Sequence, residues 1–285
     1  MIAIADSGTT KTSWLFVDKI NNQKFEHKSI GFNPYYQSSE NITSNIIHGL
    51  IPHLEFSSDK VESIFLYGAG CELESRKEQV AVGIRKAFPK AKVNVYHDLL
   101  AAARALFGDS EGIACISGTG ANTCHYDGEK IVKNVESLGL ALGDEGAGGY
   151  KGKLLVRDYM RKLMPPHIHE AFEKKYTERT PDIMDAVYTK EFPSRYLASF
   201  TVFLAENIQD PYIQGIVEQS YTDMFDNMLV NYENYKSLPL GYIGSVAYYF
   251  QDSLKKVANK YGATVTKIIR NPLEDLAEYH FQKGI

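Results

Sequence analysis

Cysteine is scarce in this sequence. Three residues, Cys71, Cys115 and Cys124, stand far apart in a chain of 285, with no C-x-x-C pair among them. An odd count at wide spacing argues against a disulfide framework and for reduced thiols, two of them in strand-like apolar text where core packing is the expected role. Charge of one sign is lacking too. Thirty-one basic residues against 35 acidic ones give a net charge of −4. With no basic cluster, neither nucleic acid nor a membrane surface is an expected partner. No apolar run is long enough to span a bilayer and no leader pattern opens the chain, so a soluble, cytoplasmic protein is expected. The P-loop pattern G-x-x-x-x-G-K-[ST] is also missing, since "SGTTKT" does not supply it.

What is present is a repetition. "MIAIADSGTTKTSWLFVD" opens the chain, and "GIACISGTGANTCHYDG" follows 110 residues later, so that Ser7-Gly8-Thr9 recurs as Ser117-Gly118-Thr119. Each turn follows a short apolar strand and precedes another. Small residues let the backbone reverse tightly, and exposed N–H and hydroxyl donors can cradle phosphate oxygens. Lys11 can add charge. Asp6, at the end of its strand, can hold Mg²⁺ through water, the manner in which that ion is usually bound beside phosphates. Either turn alone would read as an ordinary β-turn; two in matched context favour phosphate.

Around the turns the text alternates. Residues 2–5 and 13–17 read as paired strands, and Ile42, Ile46, Ile47 and Leu50 give helical spacing over 38–54. "SIFLYGAG" and "AKVNVYHD" are strands followed by helices. The pattern restarts near Gly112, then carries a mostly helical insertion from 150 to about 234, broken at Pro165-Pro166, Pro181, Pro193 and Pro211. The strand "LPLGYIGSVA", a helix, the strand "ATVTKIIRN" and a last helix complete the second copy. The expectation is an α/β protein of two similar lobes, 1–108 and 109–285, with the final helix (272–283) free to pack back on the first. With no linker between them, the lobes are expected to close around ligands.

Further positions carry chemistry. Asp98, in "VYHDLLAAARAL", ends a strand where a helix begins, which suits an N-cap or a general base. His97 beside it is expected to turn away, by strand alternation. Asn33, in "GFNPYYQS", suits an Asx-turn, with Tyr35 and Tyr36 as weaker candidates for contact with a ligand. "SLGLALGDEGAGGYKGKLL" is the most specific stretch, with Asp144-Glu145 amid closely spaced glycines. His167 and His169 lack an evident third metal ligand and read as a solvated loop.

These motifs resemble the actin-like ATPase superfamily, whose lobes have the ribonuclease H-like fold, and within it the N-acetylglucosamine kinase branch. "DSGTTKT" stands where the family has D-G-G-G-T-K-T, "ISGTGAN" at its second phosphate motif and "GYIGSVA" at its adenosine motif. The resemblance implies ATP and Mg²⁺ as cofactors. Asp6, Ser7, Gly8, Thr9, Thr10 and Lys11, then Ser117, Gly118, Thr119 and Gly120, and finally Gly244 and Ser245 would bind the nucleotide. It implies Asp98 as the general base, and Asn33, Gly139 and Asp144 as further contacts of an amino sugar. Ser7 and Thr9 replace family glycines but can still donate to phosphate. Ser137-Leu138 departs from a common Gly-Trp, which leaves that wall of the sugar pocket open. The implied activity is phosphorylation of N-acetylglucosamine or N-acetylmuramate at the 6-hydroxyl, with a homodimer compatible with it. The alternatives are an ATPase of the type that activates 2-hydroxyacyl-CoA dehydratases, and a non-catalytic sugar- or ATP-binding protein. Lone cysteines in apolar text speak against the first, since its shared iron–sulfur cluster needs cysteine ligands.

Overall fold

Ile2-Ala3-Ile4-Ala5 offers no polar face, and a strand apolar on both sides belongs in the middle of a covered sheet. In the computed structural model, which describes residues 1–8 and 11–284, all four are fully buried. Their strand β1 (Ile2–Ser7) pairs antiparallel with β2 (Lys11–Val17) and parallel with β4 (Ser63–Gly68). Outside β2 lies β3 (Lys24–Ile30), and outside β4 lies β5 (Lys92–His97), giving the order β3-β2-β1-β4-β5. Alternating charged residues blunt the β3 edge.

The second sheet repeats this plan. Strands β6 (Gly112–Ser117), β7 (Ala121–Tyr126), β8 (Ile131–Val135), β9 (Leu240–Ile243) and β10 (Val265–Ile269) take the order β10-β9-β6-β7-β8, with the same antiparallel and parallel pairings. Register makes the likeness specific. Asp6, Tyr67 and Tyr96 lie in one row across β1, β4 and β5, and Ile116, Ile243 and Ile269 form the matching row across β6, β9 and β10. The α/β class and the two similar lobes expected from the repeated pattern are therefore present, on the ribonuclease H-like plan that the resemblance implies.

The chain divides into two units, Met1–Gly108 with Asn271–Ile285, and Asp109–Arg270. In the first, Trp14 stacks on Phe16 at 5.7 Å and packs near Phe32 and Phe88. Helix 39–49 buries Ile42 and Ile46, while Ile47 is exposed. This helix stops earlier than its apolar spacing suggests: the chain tightens into a 3₁₀ turn at Ile51–His53, where Pro52 has no N–H to continue the ladder. The last helix, Leu273–Gln282, belongs to this unit, with His280 stacked on Phe65 at 3.7 Å.

In the second unit, the stretch between β8 and β9 folds into successive helices. Pro166, Pro181, Pro193 and Pro211 stand in their first turns, where a missing N–H costs nothing. His167 and His169 lie on helix 166–175, not in a loop. His167 pairs with Asp210, and His169 stacks on Tyr159. Gly152 lets helix 148–160 meet helix 193–199, because a Cβ there would collide with the Leu197 carbonyl. Among the described residues no helix is long and apolar enough to cross a membrane.

Candidate active site

Register sets Ser7, Gly68 and His97 side by side where β1, β4 and β5 end. Carboxyl ends of parallel strands are where open α/β sheets bind ligands. Asp6 precedes this row and Asp98 follows it. Asp98 is the first residue of helix 98–107, with His97 in the capping position and no side-chain cap bond. Its side chain is 30% exposed, while Oδ1 is covered and lacks a hydrogen bond.

Both carboxylates at these strand ends are shifted by burial. Burial, with the charge of Asp98 adding and Lys11 opposing, pushes Asp6 up to about 6. Burial also raises Asp98. There His97 and the Leu99 amide favour the ionised form, and Glu72 disfavours it.

His97 does not turn away from Asp98. Its Nε2 stands 3.1 Å from Asp98 Oδ1 and 3.2 Å from Glu72 Oε1. Alternation holds within a strand, but β5 ends at His97 and the chain bends into a helix, bringing residues 97 and 98 together. Glu72, which the sequence reading passed over, lies two residues beyond Gly70. The signal available was a carboxylate just after a glycine-rich strand end.

The first turn is tied into the fold. The Ser7 hydroxyl is buried, shares a 2.8 Å hydrogen bond with Thr12 Oγ1 and accepts one from the Phe32 amide. It holds three segments together. The Gly8 amide donates to the Lys11 carbonyl at 2.9 Å, and Lys11 is exposed. Thr9 and Thr10 lie outside the described residues. Asn33 is buried, and its Oδ1 accepts from the Tyr35 amide at 3.0 Å, an Asx-turn. Arg76 lies over the Tyr35 ring at 3.4 Å; Tyr36 is exposed. The 68–72 loop links these residues, since Gly70 packs against Asn33 while Glu72 binds His97.

In the second unit, motifs that are separate in the sequence form one structure. The Gly118 amide donates to the Gly120 carbonyl, and the Gly118 and Thr119 carbonyls accept from the Gly148 and Gly149 amides at 2.8 and 3.0 Å. The start of helix 148–160 thus clamps the turn and leaves Thr119 exposed. Ser117 Oγ and Lys151 Nζ both donate to the Gly146 carbonyl. Asp144, buried and at φ 60°, accepts from the Ala121 amide at 3.1 Å; burial raises its pKa, with Glu145 adding and that amide opposing. Gly139 (φ 69°) has open space about it; its carbonyl accepts from the Gly143 amide at 2.7 Å, and the neighbouring Asp144 amide donates to the Ser137 carbonyl.

Gly244, at φ 124°, follows β9 where a Cβ would collide with the Ser117 carbonyl, so the adenosine and second phosphate motifs touch. Ser245 opens onto a cavity of about 610 Å³ walled by Val202, Ala205, Val246, Tyr249 and Arg270, the last over the Tyr249 ring at 5.4 Å. Its size and mainly apolar wall suit a nucleoside. A cavity of about 580 Å³ among Tyr150, Asp158, Tyr212 and Asp223 is lined by groups that pair with one another, Tyr150 with Asp223 and Tyr212 with Asp158. Among the described residues no cluster of three or more His, Cys, Asp or Glu could hold a metal directly.

No family model and no curated protein matches the chain. Solved structures do. A candidate N-acetylglucosamine kinase from Porphyromonas gingivalis is 36% identical over 100% of both chains, with a TM-score of 0.94. A second, from Chromobacterium violaceum, is 15% identical over 98% of each chain, with a TM-score of 0.70. A ROK family glucokinase from Streptomyces griseus, in complex with glucose and AMPPNP, is 15% identical over 97% of this chain and 98% of its own, with a TM-score of 0.59. The two more distant structures speak to the fold. The first, matched along its entire length at over a third identity, shows the family: the chain belongs to the N-acetylglucosamine kinase branch of the actin-like ATPase superfamily.

Proposed function

We propose that the protein is an ATP-dependent sugar kinase that transfers the γ-phosphate to the 6-hydroxyl of an N-acetylated hexosamine, N-acetylglucosamine or N-acetylmuramate. The observation that carries the reading is Asp98: a carboxylate at the end of β5 whose side chain is 30% exposed, with Oδ1 covered and without a hydrogen bond. In this mechanism Asp98 accepts the sugar hydroxyl's proton as the oxygen attacks phosphorus. Its raised pKa makes it a stronger base than an exposed carboxylate. Asn33, Gly139 and Asp144 orient the sugar. The two turns hold the phosphates through backbone amides, Lys11 and the hydroxyls of Thr9, Thr10 and Thr119, and Gly244 with Ser245 borders the base.

Mg²⁺ fits this donor set as an ion held mainly by the nucleotide. Asp6 is a carboxylate whose ionised form lacks a sufficient counter-charge, which suits a water-mediated contact. When bound, the ion would neutralise phosphate charge.

The dehydratase-activator alternative finds no support. A cluster shared between subunits needs cysteines at the surface, yet Cys71, Cys115 and Cys124 are all buried. A coupled ADP-release assay across N-acetylglucosamine, N-acetylmuramate, glucose and glucosamine tests the reading. ADP release that needs an N-acetylated sugar is expected; sugar-independent release would overturn it.

A further inference from the structure

His97 Nε2 meets two carboxylate oxygens, Glu72 Oε1 at 3.2 Å and Asp98 Oδ1 at 3.1 Å. That nitrogen must carry the hydrogen, since a lone pair held between two anions would be repelled by both. The N–H forms a hydrogen bond with Glu72, and the same nitrogen lies within ion-pair distance of Asp98 Oδ1. Glu72 is half exposed and His97 largely covered, so the imidazole is anchored from the solvent side.

A carboxylate in the first turn of a helix can rotate about two side-chain bonds. A general base acts only when its oxygen is within about 2.6–3.2 Å of the proton it takes. Something must fix the rotation. We propose that His97, anchored by Glu72, is a positioning residue for Asp98: it holds Oδ1 inward and thereby leaves Oδ2 as the oxygen that meets the acceptor hydroxyl. This rests on the kinase reading with Asp98 as base. A proton relay through His97 is a different role and does not suit the geometry, because Nε2 already bears its hydrogen.

The test uses the full chain with His97→Ala, His97→Gln and, as control, Asp98→Asn. Glutamine can place an amide N–H near the position of the imidazole Nε2. His97→Ala should lower kcat by about ten- to a hundredfold, the scale of a small misplacement of a catalytic group, with little change in KM for sugar or ATP. His97→Gln should recover most of that loss. Parental kcat in His97→Ala, beside an inactive Asp98→Asn, would sink this inference and leave the kinase reading intact. Losses that track a fall in melting temperature in both His97 variants would make the residue structural and overturn it. A parent protein that phosphorylates no sugar removes the kinase reading, and this inference with it.

Discussion

Tyr67 and His280, 213 positions apart, share a hydrogen bond of 2.9 Å in the first unit. Arg104 also donates to the Tyr67 oxygen, at 3.1 Å, so the hydroxyl gives its own hydrogen to His280 Nε2. The imidazole is therefore neutral, with its hydrogen on Nδ1, a covered atom without a partner. Burial, with Arg104 adding, lowers its pKa from 6.5 to about 4.

A pH dependence of stability results. Above about pH 6.5 the folded and unfolded chains both hold His280 neutral, and it contributes no slope. Between 6.5 and about 4 the unfolded chain binds a proton that the folded chain refuses, so the melting temperature should fall as pH falls, then level off. His280→Leu should flatten that window in a thermal scan series. An unchanged slope in the variant would assign the effect to other groups.

Asp6 acts in the opposite sense. Its folded pKa is raised to about 6 from 3.8, so ionising it costs stability that is regained as pH falls through 6. Asp6→Asn should raise the melting temperature at pH 7.5 and lose that advantage near pH 4. It should also raise KM for Mg-ATP more than KM for sugar. A selective loss of sugar affinity would remove Asp6 from the nucleotide site.

Asp98→Asn should lower kcat by about 10²–10⁴-fold while calorimetry still detects sugar and nucleotide. Helix 98–107 has no side-chain cap to lose, and burial raises the Asp98 pKa, so the neutral amide should raise the melting temperature at pH 7 rather than lower it. Close to parental turnover in this variant would take Asp98 out of the mechanism.

Lys151 is fully buried, with the Gly146 carbonyl and the Tyr221 ring, 3.7 Å from its ammonium nitrogen, as neighbours. Burial holds its pKa well below 10.5, and the unfolded chain binds a proton that the folded chain resists. Lys151→Met keeps the volume and leaves Ser117 to satisfy Gly146. The melting temperature should rise at pH 7, by less at pH 10. A fall at both would show that the ammonium–carbonyl bond outweighs the cost of burial.

The doubled sheet was legible in the sequence because the repeated turn and the flanking apolar strands are local. So was the position of Asp98 between strand and helix. His97 was misread because alternation fails at the last residue of a strand. The hydroxyl of Ser7 reads as a phosphate donor until Thr12 and Phe32 claim it, and no local pattern announces either partner. The clamp of Gly148 and Gly149 on the second turn was hidden for the same reason. It joins residues 30 positions apart whose glycines, read singly, suggest only tight turns.

The matching rows of the two sheets make the halves alike in plan but not interchangeable. Where the first sheet sets Asp6, Tyr67 and Tyr96, the second sets Ile116, Ile243 and Ile269. Two residues beyond these rows stand Asp98 after β5 and Asn271 after β10, with Arg270 directly following β10. The two halves thus share their architecture, while the second row carries no ionisable side chain. The halves cannot replace each other: a chimera carrying two second halves would inherit both rows as hydrocarbon and carry Asn where the first half has Asp98. The symmetry survives in the strand order and in the repeated Ser-Gly-Thr turn, while the strand-end carboxylates Asp6 and Asp98 belong to one half alone.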